Sequence, residues 1–144
     1  LAKERHTQWN PDLIYFNNRE VKPTTGYYVQ KLYGQNAGNE YLPSKIVLDN
    51  KDDKVRKRFA SSIVRDSVSG DVIVKLVNLL PVEVNTNVDL SGIGAVQPSA
   101  KRTVLTGKPT DTPLPVEDRI QIAEKFDCNL PAYSFTVIRI QKAN

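Results

Sequence analysis

The chain has 144 residues, 40% of them hydrophobic and 25% charged, with 20 basic against 16 acidic side chains and a net charge of +4. That mixture suits one globular domain with a core of its own, and it excludes a disordered tail. No apolar run approaches the roughly 20 residues a membrane helix needs, and a single cysteine, Cys128, excludes an intrachain disulfide.

Taken in chain order, Leu13-Ile14-Tyr15-Phe16 is the first predicted strand. Its unbroken apolar character predicts burial on both faces, as in a parallel sheet. Pro23 then fits the first turn of a helix, where its missing N–H costs nothing. Tyr28, Val29, Leu32 and Tyr33 recur at helical spacing, and Gly34 or Gly38 is placed to end the helix. Strand, loop and helix make one β/α unit, which cannot cover its own apolar faces and so implies missing neighbours. The chain starts at Leu1 with no signal-like stretch, and the expectation is a piece cut from a longer protein.

Beyond residue 38 the composition shifts to Val, Ile and Thr with turn signals at short intervals. Lys45 to Leu48 predicts a short strand. Phe59 to Arg65 and Val72 to Leu80 predict a hairpin about Ser69-Gly70-Asp71. Both faces of Val72 to Val77 are largely apolar, which marks a central strand. Val82, Val84, Thr86, Val88 and Leu90 alternate with polar residues, the period of a strand with one face in the core. Arg102 to Thr106 is a further strand, Lys108 to Pro115 a proline-rich loop, and Tyr133 to Ile140 the last strand. Val116 to Ala123 fits either a helix or a strand, and its context favours a strand. The fold class expected is all-β, an antiparallel β-sandwich preceded by one β/α unit. The domain division is 1–37 for the β/α unit and 38–144 for the sandwich.

The chemistry-bearing residues are few. His6 and Cys128 are too far apart in sequence to form a metal set, and no metal or cofactor is expected. A Ser-His-Asp relay would have to use His6, in a polar N-terminal stretch. Cys128 is expected at a strand end, as a quiet, partly buried thiol. Lys51-Asp52-Asp53-Lys54-Val55-Arg56-Lys57-Arg58 is either a phosphate-binding patch or a solvated turn. The interleaved acids and the lack of aromatics favour the turn, and neither nucleic acid nor membrane is expected as a partner. Gly92-Ile93-Gly94 lacks the third glycine and the helix of a dinucleotide fingerprint, so a turn is expected there. Asn39-Glu40 is the strongest decoy. A retaining glycosidase places such a Glu at the end of a barrel strand, with a second carboxylate roughly 5 Å away. Here it follows a helix. Trp9, Tyr27, Tyr28 and Tyr33 would make a sugar-stacking platform, but helical spacing favours core packing for Tyr28. Seven of the eleven aromatic residues precede residue 42, which leaves the sandwich poor in stacking surfaces.

Trp9-Asn10-Pro11-Asp12-Leu13-Ile14-Tyr15-Phe16, followed by Pro23-Thr24-Thr25-Gly26-Tyr27-Tyr28-Val29-Gln30-Lys31-Leu32-Tyr33, resembles the last β/α unit of an α-L-arabinofuranosidase of glycoside hydrolase family 51. Ser61 to Asp66, Gly70 to Asn78 and Leu130 to Ile138 resemble that family's C-terminal domain, in a form similar to enzymes of Bacteroides-type gut bacteria. The resemblance implies a (β/α)8 barrel followed by a jelly-roll sandwich, acting on arabinan or arabinoxylan side chains. It places both catalytic glutamates on strands upstream of this chain, so no catalytic residue carries over. Asn17, at the end of the last barrel strand, and Trp9 are the residues it implies for the parent's sugar pocket; a loop-capping role serves Asn17 equally well. It also implies the catalytic barrel of the same polypeptide as partner, and a periplasmic, cell-surface or secreted location. A sandwich strand supplied from before the barrel would leave an unpaired edge here, and with it self-association into a homo-oligomer. The function expected is structural support of the barrel. The alternative is an independent carbohydrate-binding module, which requires Tyr41 or Tyr133 exposed beside a shallow groove. An autonomous hydrolase fails on carboxylate placement.

Overall fold

A computed structural model describes residues 13–16, 18–108, 111 and 113–143. The strands are β1 (Ile14–Phe16), β2 (Val21–Pro23), β3 (Glu40–Leu42), β4 (Phe59–Arg65), β5 (Val72–Asn78), β6 (Val84–Asp89), β7 (Val96–Thr106), β8 (Val116–Gln121), β9 (Lys125–Leu130) and β10 (Ser134–Lys142). Helix α1 (Thr25–Gln35) follows β2, and the single turn α2 (Asp53–Arg56) precedes β4. A six-stranded sheet runs β3-β4-β5-β10-β7-β8, with β6-β9 and β1-β2 as two-stranded sheets. All pairings are antiparallel, as an all-β sandwich requires.

The large sheet has two covered faces because its central strands are apolar on both sides. On one face Val72, Val74, Leu76, Ile138 and Ile140 meet Val88, Phe126, Cys128 and Leu130 of β6 and β9. This is the sandwich core. On the other, Ile73, Phe135, Val137 and Leu105 meet Leu32 of α1, with Tyr28 and Val29 beside it. Asn78, wholly buried, ties the strand ends together. Its amide donates to the carbonyls of Val82 and Pro131, each at 2.9 Å, and its Oδ1 accepts from Leu80 N at 3.0 Å.

Several expectations are corrected. The Leu13–Phe16 run does not form a strand buried on both faces. It pairs antiparallel with β2, Ile14 against Pro23, and leaves Ile14 at 40% and Phe16 at 61% exposure. Pro23 ends β2 rather than starting the helix, and Thr24 is the N-cap, its hydroxyl accepting from Tyr27 N at 3.3 Å. The same hydroxyl donates to Leu13 O at 2.9 Å, which anchors α1 to the hairpin. Gly34 stays inside the helix, Asn36 is its C-cap, and Gly38 turns the chain at φ +65°. Lys45 to Leu48 is not a strand: no edge among the described residues pairs with it, and Val47 is 76% exposed. The 51–58 stretch contains the turn α2, capped by Asp52, whose carboxylate accepts from Lys54 N at 2.8 Å. Lys125–Leu130 is a strand that the composition hid, and Cys128 lies inside it rather than at its end. The last strand opens at Ser134, because Tyr133 sits in the left-handed region at φ +49°.

Candidate functional site

The site is best built from the register of β3 and β4. Directly opposed residues of an antiparallel pair share a face. Leu42 pairs with Ile63, and both pack on the sandwich core, so Glu40 and its partner Arg65 point the same way. They form one wall of a cleft of about 440 Å³ at the end of the sandwich where β5 begins. Its floor is Val72, Ile93 and Ile140, and Ser67 and Lys142 complete the rim. Arg65 is loosely held: its nearest Glu40 oxygen is 3.8 Å away, and its other amine reaches Ile93 O only at 3.5 Å. Charge-assisted bonds of this kind settle near 2.7–2.9 Å. Ser67 N accepts no such slack, donating to Asn39 Oδ1 at 2.8 Å, while Asn39 Nδ2 donates to Ser67 Oγ at 2.6 Å.

The remaining candidates lie elsewhere. Trp9, Asn17 and His6 fall outside the described residues. Tyr41 pairs with Val64, which packs on the α1 side, so its 68% exposed ring faces away from the cleft. Tyr133 is half-buried at the opposite end of β5, where its carbonyl accepts from Gly107 N at 3.1 Å and its own N–H donates to Leu80 O at 3.1 Å. The two tyrosines therefore share no platform. Tyr33 stacks on Phe135 at 4.8 Å between centroids, which makes it a packing residue. Tyr28 packs in the outer core, as its helical spacing indicates. Cys128 is buried, and burial pushes its thiol up while the Arg102 guanidinium draws it partly back.

Acid chemistry needs a carboxyl held protonated, and the perturbed carboxyls run the other way. Backbone donation from Val68 holds Asp66 below the usual range. Hydrogen bonds from the Ser91 hydroxyl and N–H bring Asp89 to about 2. The Arg102 guanidinium holds Asp118 low through a two-point contact, Nε to Oδ1 at 2.9 Å. Asp66 and Asp71 both serve Arg139, at 3.1 and 2.6 Å, as a brace across the β4–β5 turn. Among the described residues, no group of three or more His, Cys, Asp or Glu side chains is placed to hold a metal ion. No described helix is long and apolar enough to cross a membrane.

The fold is an antiparallel β-sandwich with a helix on its outer face. The family described as α-L-arabinofuranosidase C-terminal domain matches residues 5–136, and the chain belongs to it. An extracellular exo-α-L-arabinofuranosidase of Streptomyces chartreusis is 49% identical over 45 residues, which are 31% of this chain and 6% of that protein. The arabinose-bound MgGH51 α-L-arabinofuranosidase superposes with a TM-score of 0.81 at 28% identity, covering 95% of this chain and 22% of its own. The Thermotoga petrophila family 51 enzyme, at 13% identity and a TM-score of 0.73 over 89% of this chain and 31% of its own, shows the same fold. The chain thus spans less than a third of the length of each of these relatives.

Proposed function

We propose that this domain is the non-catalytic support of the catalytic barrel in a retaining α-L-arabinofuranosidase acting on arabinan or arabinoxylan side chains. The observation that carries this reading is the apolar β1–β2 hairpin, with Ile14, Phe16 and Val21 at 40, 61 and 64% exposure. Single exposed apolar residues are ordinary, but a hairpin made of them marks a surface that more protein covers. Residues 1–37 are then the barrel's last segment, anchored to the sandwich through α1, and Asn17 and Trp9 belong to the parent's sugar pocket. The extracellular Streptomyces relative supports a location outside the cytoplasm, secreted, periplasmic or at the cell surface.

Two measurements, one on the intact enzyme and one on this chain alone, test this. Removing residues 38–144 should lower its melting temperature sharply, while the purified 144-residue chain should release no nitrophenol from 4-nitrophenyl α-L-arabinofuranoside. Turnover by the isolated chain, abolished by Glu40→Gln, would overturn the non-catalytic assignment.

A further inference from the structure

We infer that the cleft at the β5 end of the sandwich is a binding site for a carboxylate-bearing sugar, a uronic acid unit. Three observations point there. First, the floor is apolar: the half-buried Ile93 and Val96 line it and pack on Val72 and Ile140 of the sandwich core. Such a surface suits the C–H face of a pyranose ring, and a volume of about 440 Å³ lies in the range of small-ligand sites.

Second, the rim carries two cations, Arg65 and Lys142, against one carboxylate, Glu40. Lys142 forms none of the ion pairs found among the described residues. Third, Arg65 is underused. A guanidinium carries five donors in a fork matched to a carboxylate. Here its contacts are both long, at 3.8 Å to Glu40 and 3.5 Å to Ile93 O. A ligand carboxylate would improve on both, whereas a neutral sugar would leave the fork as it is. The Ser67 hydroxyl, which already accepts from Asn39, still has its own proton to give to a ring hydroxyl.

The test is a ¹H–¹⁵N and methyl NMR titration of the purified chain with sodium D-glucuronate, D-glucose and sodium acetate at fixed ionic strength. The expected result is saturable shifts at Val72, Ile93 and Ile140 with glucuronate in the millimolar range, and none with glucose. Arg65→Gln should weaken binding about tenfold. Lys142→Gln, at an exposed strand end, should weaken it about threefold without disturbing the fold. No saturable shift with glucuronate overturns the site. Equal shifts with acetate reduce it to an anion contact, and equal shifts with glucose remove the carboxylate from the account; either result overturns the assignment. None of these outcomes bears on whether the domain supports the barrel, which rests on the hairpin.

Discussion

The two faces of the six-stranded sheet are made from the same strands, yet they are covered in different ways. Toward β6 and β9 most of the alternate residues are aliphatic, among them Val72, Val74, Leu76, Ile138 and Ile140, while Ser134 and Thr136 lie buried on the same face with hydroxyls that have no hydrogen-bond partner among the described residues. Toward α1 the intervening residues include Phe135, Arg139 and a lysine, Lys75, at 3% exposure. The Lys75 ammonium has no carboxylate among the described residues, and its partner is the Tyr33 ring at 5.3 Å. Burial without a counter-ion lowers its pKa. The first face is thus closed by a second sheet and the second by a single helix, with a buried lysine beneath it.

The largest effect expected separates the two cores. Ile138→Ala, in the sandwich core at 0% exposure, should cost about 4 kcal/mol in urea unfolding. Leu32→Ala, its counterpart under α1, should cost about 3 kcal/mol, because the helix side has more room to relax. Equal losses would erase the difference between the faces. Next comes the link between helix and sheet. A Cβ on Gly38 would lie 2.7 Å from Val64 Cγ2 at φ +65°, so Gly38→Ala should cost about 2 kcal/mol.

Lys75 gives the sharpest pH signature. Its folded pKa lies below its ordinary 10.5, so the unfolded chain binds more protons between those two values. Stability therefore rises with pH across that window and is lowest while the ammonium is charged in both states. Lys75→Met should remove this slope, shown by melting curves from neutral to alkaline pH, with a change within about 1 kcal/mol at pH 7. The smallest effect lies at the exposed edge. Asp118→Asn should cost about 0.5 kcal/mol at neutral pH. Because the Asp118 pKa is depressed, its contribution is present above 3.8 and fades as pH falls through the folded value.

Hydrophobic periodicity made most of the sandwich legible. The alternation through Val88 and Leu90 predicted β6, and apolar residues on both faces of Val72 to Val77 predicted a central strand. What it missed has local causes. In β9 the buried residues Phe126, Cys128 and Leu130 alternate perfectly, but Asp127 and Asn129 between them are poor strand formers. Lys45 to Leu48 had the composition of a strand without an edge to pair with among the described residues. The apolar run at Leu13 suggested a parallel strand, yet its partner is the nearby Val21–Pro23, which no periodicity announces. The cleft was invisible because its walls come from β3, β4, β5, β10 and the segment before β7, joined only by register. The Asn39-Glu40 pair drew attention as a catalytic motif, whereas its role in the fold is to set Glu40 against Arg65.

A calorimetric titration of the purified chain with linear and branched neutral arabino-oligosaccharides tests the central claim most directly. A supporting domain that leaves sugar hydrolysis and arabinose recognition to the barrel predicts no saturable heat at millimolar ligand. Saturable heat, reduced by Tyr41→Ala or Tyr133→Ala, would make the sandwich an independent carbohydrate-binding module and contradict the account.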